Sequence, residues 1–398
     1  MILLDEDSSG KSFIRKIKTR LSAGGDISTI GITDSINNAI GYGFWLYIAS
    51  ILSVRDYGEV NYFIALGGIV STLCLIGSYN SVVVLLAKGV KIHTSLIFIS
   101  LIIGICSSII FSLITGSFEL GFLIIGYLVM NLTISEITGR RLFQNYFKYI
   151  ILSKVFFVVL SITLFHVMGI KGIILGIALS SLIFLIRITT ILSTEKIDFK
   201  ILWQEKKFVL TNFVTSSFDA ASGNLDKIII LPILGLISLG NYQFGLQIAG
   251  LLMLLPNTIF KYTLPTDSQG LSNRKIKRAI IGVVALFTIT FIFVAPIAIQ
   301  TVIPKYIQAI PIVQIVALSA IPNTINYMTL SSYLGKKRYR VTLGHSITYT
   351  STLITFIVIL GNLMADVGLA IAFTLAQCSV TIYYVIIYLK SKRDDRNE

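Results

Sequence analysis

Long apolar runs recur along nearly the whole chain, separated by short basic clusters, and this alternation limits the fold more than any motif. Residues 93–115, for example, contain no Asp, Glu, Lys or Arg. A helix needs about 20 apolar residues to cross about 30 Å of hydrocarbon. The runs predict spans near 30–54, 60–87, 93–115, 119–139, 149–168, 170–192, 208–236, 240–264, 277–303, 306–334, 341–363 and 366–389. Only 13% of the 398 residues are charged, against about 25% in soluble domains, and the mean hydropathy is +0.84. Such a chain has too little polar surface to cover a globule in water, so lipid must be its solvent. The expected fold is an all-α integral membrane protein of about twelve transmembrane helices.

The formal net charge of +14 does not indicate nucleic acid, because the basic residues cluster between apolar runs, as they do in cytoplasmic loops. Counted over alternate segments, 29 of the 33 Lys and Arg fall on one side. The other side holds Arg55, Lys171 and Lys305, and Lys227 lies inside a span. An alternation that survives to the last residues requires an even number of spans and places both termini in the cytoplasm. No cleavable signal peptide is expected, since residues 1–28 are polar and basic and no short apolar segment with a small-residue cleavage site follows. Phe13, Ile14, Ile17 and Leu21 recur at helical spacing among basic residues, so residues 1–29 are expected to lie along the inner membrane surface. Cys74, Cys106 and Cys378 stand singly in apolar runs, and the three histidines are scattered near helix ends. Neither set has metal or redox spacing.

The halves resemble each other. Met168-Gly169-Ile170-Lys171-Gly172-Ile173 matches Met364-Ala365-Asp366-Val367-Gly368-Leu369 at an offset of 196, as Gly139-Arg140-Arg141 matches Gly335-Lys336-Lys337. Tyr57-Gly58-Glu59 matches Leu239-Gly240-Asn241 at an offset of 182. Six spans per half preserve orientation, so two six-helix bundles related by a pseudo-two-fold axis along the membrane normal are expected. The predicted organisation is a basic segment at 1–29, a first bundle at 30–195, a cytoplasmic linker at 196–207, a second bundle at 208–390 and a tail at 391–398. All seven prolines lie between Pro232 and Pro322. They mark either flexible bends or static kinks in the second bundle.

Charges inside hydrocarbon cost about 2.5–3.5 kcal/mol each, so those present should face a wet interior or a partner. Asp219, Gly223, Asp226 and Lys227 share one face of the seventh span, with Asp226 and Lys227 about 100° apart and therefore expected to pair with other spans or with water. Gln243, Gln247, Gly250, Asn257 and Lys261 form a stripe along the eighth. Asp34, Asn38 and Trp45 recur in the first span beside Asn37, and Asn323, Asn326 and Tyr327 repeat the theme in the tenth. Each set reads either as a cavity lining or as helix-packing contacts. Glu136 and Arg140 are spaced as an intrahelical pair. There is no G-x-x-x-x-G-K-[ST] phosphate loop and no H-E-x-x-H. No cofactor, metal site or enzymatic activity is expected.

Several short motifs, in order, resemble one family. Asp56-Tyr57-Gly58-Glu59 looks like the Tyr-Gly turn after the first span of polysaccharide exporters. Leu225-Asp226-Lys227-Ile228, followed by Gly240-Asn241-Tyr242, is similar to the stretch that opens their second half. Leu264-Pro265, Gly335-Lys336-Lys337 and Met168-Gly169-Ile170-Lys171-Gly172 resemble three further family positions. The likeness runs from about residue 28 to 390 and points to the multidrug/oligosaccharidyl-lipid/polysaccharide (MOP) flippase superfamily, nearest its Wzx-type O-antigen and capsule flippases. One departure is the absence of a Pro before the Tyr-Gly turn, where Ser53-Val54-Arg55 stands instead.

The resemblance implies a MATE-like fold and alternating-access transport of an undecaprenyl-diphosphate-linked oligosaccharide to the outer leaflet of a bacterial inner membrane. Other implied partners are membrane lipids, a repeat-unit polymerase and a chain-length regulator. A diphosphate needs cations, for which Lys227, Arg187, Lys154 and Lys261 are candidates. Sugars need amides and hydroxyls, for which Gln243, Gln247, Asn37, Asn38 and Tyr42 are candidates. Asp34, Asp219 and Asp226 are candidates for proton or Na⁺ coupling, with helix-packing ion pairs as the competing role. The alternative function is a cation-coupled multidrug exporter of the same superfamily.

Overall fold

The computed structural model describes residues 25–76, 78–195, 197–268, 274–335 and 339–397. All regular structure among them is helical. The predicted surface segment at 1–29 lies almost wholly outside them.

The apolar runs become helices turned inside out relative to a soluble protein. In the helix His93–Thr115, Ser100, Gly104 and Ser108 are buried, while Ile102, Ile105, Ile109, Ile110 and Leu113 are exposed. Small and polar side chains let helices approach closely, and branched apolar ones meet lipid tails at no cost. Eight helices among the described residues are long and apolar enough to cross a membrane, or nine if the pair Val54–Cys74 and Tyr79–Ala87, bent by 43°, is one span. The protein is a multi-pass membrane protein.

The counts differ from the twelve predicted spans for local reasons. The predicted span at 60–87 is broken near residue 75. Two of the eight helices, Lys206–Leu254 and Arg340–Lys390, run for 49 and 51 residues. At about 1.5 Å per residue each is more than twice the hydrocarbon thickness. Each is interrupted by one residue with positive φ, Gly235 (φ 83°) and Ala365 (φ 47°). Both long helices therefore break at a glycine and an alanine rather than at a proline; Pro296 sits inside the helix Arg274–Val302. The first helix, α1 (Gly25–Ile51), is not among the eight because it is rich in polar residues.

The repeat is visible in backbone geometry. Gly169 (φ 61°, ψ −139°) and its equivalent Ala365 (φ 47°, ψ −130°) make the same turn. Just beyond, Gly172 lies against the Leu164 carbonyl and Gly368 against the Leu360 carbonyl, both pairs again 196 apart. Gly58 packs on the Leu236 carbonyl while Gly240 packs on the Val54 carbonyl, a reciprocal contact at the offset of 182. A Cβ at either position would overlap a backbone oxygen, so glycine is required at both.

Contacts divide the chain into two compact units. The first comprises residues 1–44 and 73–213, the second residues 45–72 and 214–398. The second unit thus takes the end of α1 and the helix Val54–Cys74 from the first half of the sequence. It ties them down through Gly58 and Gly240, and through Lys305, whose ammonium donates to the carbonyls of Ser50 and Leu52 at the end of α1. Tyr306 beside it stacks on Phe244, with ring centroids 3.8 Å apart, and meets Tyr57 edge-on.

Candidate functional site

In the first unit the site is built on α1 and α6 (Phe143–Met168). Tyr146, Ile150, Lys154, Phe157 and Ser161 recur at helical spacing, and Ile150, Phe157 and Ser161 are the buried residues of α6. This face meets α1 at three heights. Tyr146 donates to the Asp34 carboxylate at 2.9 Å. The Lys154 ammonium lies where a Cβ on Gly41 would come within 3.3 Å of it. Phe157 packs on Phe44, with centroids 4.3 Å apart.

Lys154, near the start of the predicted span 149–168 and counted with the cytoplasmic side, lies deeper than that. Helix α6 begins at Phe143, so Lys154 is the twelfth of its 26 residues, deep in the apolar segment. It lies over the face of Phe157, 4.3 Å from the ring centroid. Among the described residues no carboxylate stands within ion-pair distance. Cation–π attraction offsets part of the cost of burying the ammonium and leaves its N–H donors unspent on described residues. A Cβ at Gly41 would come within 3.3 Å of it, so the lysine end would have to give by a few tenths of an ångström. Asn37 and Tyr42 on the same helix are half-buried, and Asn38 is exposed.

Arg187 is engaged elsewhere. Its guanidinium makes a two-pronged contact with the fully buried Glu136, at 3.1 and 2.9 Å. Glu136 also pairs with Arg140, the expected intrahelical contact, and Arg140 continues to Glu195. The ring of His93 lies 2.8 Å from Glu195. Two arginines on one buried carboxylate form a structural network, with geometry that favours Arg over Lys. Glu195 lies outside the apolar spans. Burial acts to raise its pKa, but the hydrogen bond from Arg140 and the charges of His93, Arg140 and Lys91 hold it below the ordinary carboxylate value.

In the second unit the described charges of the seventh span are satisfied. Asp226 reaches the next span through Tyr242, as expected, whereas Lys227 turns to Asp226 rather than to a separate partner. The long lysine stem folds back one turn, and its ammonium reaches Asp226 at 3.2 Å and the Gly223 carbonyl at 2.9 Å. The other Asp226 oxygen accepts from Tyr242 at 3.1 Å. Asn241 donates to Asp366 at 2.9 Å. The Gln243 side-chain oxygen is buried with no partner, and Gln247 is half-buried. The side chains of Asp219, Asn257 and Lys261 lie outside the described residues. Asn326 bonds to Gln377 and Thr381 within the unit, the interhelical role considered for it above.

The sequence reading missed Tyr146, Phe157 and Tyr242. The first two were detectable, because they fall on the same helical face as Lys154. Tyr242 is separated from Asp226 by 16 positions and a backbone break at Gly235, so no periodicity links them.

Solved structures share this architecture. The lipid II flippase MurJ, in an inward closed conformation, matches with a TM-score of 0.70 at 17% identity, over 90% of this chain and 87% of its own. An inward-facing multidrug resistance MATE family transporter of the MOP superfamily matches with a TM-score of 0.72 at 13% identity, over 94% and 99%. The chain shares the fold of these two proteins. A MATE in complex with MaD3S is similar too, with a TM-score of 0.60 at 14% identity over 92% and 96%. No family model and no curated protein matches the chain. At such identities the likeness defines the fold and leaves the cargo to be argued from this chain's own side chains.

Proposed function

We propose that this protein is a flippase that carries an undecaprenyl-diphosphate-linked oligosaccharide, an O-antigen or capsule repeat unit, to the outer leaflet of a bacterial inner membrane by alternating access. The observation that carries this reading is Lys154, a cation at mid-helix that meets no carboxylate and spends no donor among the described residues. A diphosphate supplies the missing anion, and Asn37, Asn38 and Tyr42 on α1 supply sugar-binding groups on the same unit. Gln243 and Gln247 offer amides on the second unit. The lipid tail stays in the bilayer while the head group crosses. Twelve crossings follow if Gly235 and Ala365 each divide a long helix, the bent pair is one span and α1 is another. The basic side then faces the cytoplasm with both termini. A repeat-unit polymerase and a chain-length regulator are the expected partners.

Asp34, which accepts a hydrogen bond from Tyr146, is the favoured coupling carboxylate, with Asp219 as a second candidate; Asp226 is paired with Lys227. The competing reading is a cation-coupled multidrug exporter. A cavity for cationic drugs wants carboxylates and aromatic faces, and an uncompensated lysine opposes it. The deciding experiment reconstitutes the protein with a fluorescent undecaprenyl-diphosphate oligosaccharide and, separately, with a cationic dye. Accelerated flipping of the lipid-linked sugar is the expected result. Dye transport without it would replace this reading by the drug exporter.

A further inference from the structure

The segment that follows the helix ending at Thr194 is docked on the first unit by one face only. Ser95 donates to the Asp198 carbonyl at 2.9 Å and accepts from its N–H at 3.0 Å. Ile201, Leu202 and Val209 pack against Val82, Leu85, Ile92 and Leu96. Asp198 caps the short helix Phe199–Gln204 through the N–H groups of Lys200 and Ile201. The seating is specific, so the opposite face is held in a fixed direction.

That opposite face is aromatic and basic. Phe199 and Trp203, four apart, are 51% and 71% exposed, and the Lys206 ammonium sits 3.8 Å over the Trp203 ring. Lys200, Lys206 and Lys207 are exposed, as are Lys88 and Lys91 in the turn before Ile92 of the same apolar cluster. None of the five makes an ion pair among the described residues. The nearby carboxylates are occupied: Glu195 by Arg140 and His93, Asp198 by backbone N–H groups, and Glu205 is half-buried. The segment lies between the end of one apolar span at Thr194 and the start of the next at Lys206, which places it where hydrocarbon meets head groups.

We propose that this face is a recognition surface for anionic glycerophospholipids. Phe199 and Trp203 enter the boundary between acyl chains and head groups, where amphipathic rings settle. The lysines, with stems along the apolar surface, take the phosphates of lipids that carry net negative charge. The inference rests on the membrane-spanning fold and is independent of the cargo.

The chain has two tryptophans, Trp45 and Trp203, so Trp203 can report on its own surroundings. The full-length W45F variant is reconstituted in phosphatidylcholine vesicles containing a minor fraction of brominated phosphatidylglycerol or, at the same fraction, brominated phosphatidylcholine. Trp203 emission is expected to be quenched about twofold more by the anionic lipid. That excess should vanish in W45F carrying K200Q, K206Q and K207Q. Equal quenching by the two lipids would overturn the proposal, and so would the absence of quenching by either, which would put Trp203 in water or under a protein partner. If W45F does not fold, the difference in quenching between the native protein and W203F gives the same quantity.

Discussion

Lys154 and Lys227 both sit within apolar helices, yet their surroundings are opposite. Lys227 is 12% exposed and spends its donors on Asp226 and the Gly223 carbonyl. Lys154 has an aromatic face and a glycine, and no carboxylate beside it among the described residues. A buried ammonium that is already paired has little to offer a ligand, because taking up a phosphate would mean breaking a bond of similar strength. An unpaired one carries a desolvation cost that an anionic ligand relieves. The comparison moves the head-group role from Lys227, the more conspicuous residue in the sequence, to Lys154.

The largest effect expected is on folding. Lys227→Ala leaves Asp226 buried with Tyr242 as its remaining side-chain partner, and breaking such a pair costs about 3–5 kcal/mol. Thermal unfolding in detergent should show it. Replacing both partners, as Asp226→Leu with Lys227→Met, should recover most of the loss and retain transport. A double variant that is stable but inactive would return Lys227 to the mechanism and break the comparison.

Lys154→Ala should do the reverse. Stability is expected to hold or rise, while flipping of the lipid-linked oligosaccharide falls at least about tenfold, the loss of one charge-assisted contact. Lys154→Arg should keep part of the activity. Undiminished flipping in Lys154→Ala, at matched protein level, would remove the residue from substrate binding. Next in size is Tyr242→Phe, which deletes a hydrogen bond to a buried carboxylate at a cost of about 1.5 kcal/mol. An unchanged melting temperature would mean that Lys227 alone satisfies Asp226.

The smallest effect concerns the arginine network. Glu195 has its pKa held below the ordinary carboxylate value in the folded protein, so it binds fewer protons folded than unfolded. Its contribution to stability is full above the unfolded pKa and is lost as pH falls through the lowered folded value. Glu195→Gln should therefore lower stability at neutral pH, flatten the acid limb of a stability–pH curve and change little in strong acid. An identical acid limb would exclude Glu195 from the network's energetics.

Much of the architecture was legible in the sequence because the bilayer imposes it. Backbone groups in hydrocarbon must be satisfied within the helix, so long apolar runs had to be helical and the breaks had to fall near loops. The repeat was legible as well. The pairs Gly172 and Gly368, and Gly58 and Gly240, mark places where one backbone lies on another, and only glycine allows that approach. The polar face of α1 was also evident from Asp34, Asn37, Asn38 and Tyr42.

What the sequence could not supply was the partner of each buried charge. Adjacent Asp226 and Lys227 looked divergent on a helical wheel, but a flexible four-carbon stem brought them together. Arg187 looked available until Glu136, 51 positions away, claimed it. Lys154 stood near the start of the predicted span 149–168, but the helix starts at Phe143 and carries it to the twelfth position. Composition and periodicity determine which segments enter the membrane and which way their faces turn, since these depend on transfer free energies that each residue brings with it. Whether a charge is spent or free depends on ångström distances between helices remote in sequence. Only the tertiary structure shows that: Lys227 lies paired with Asp226, and Lys154 faces Phe157.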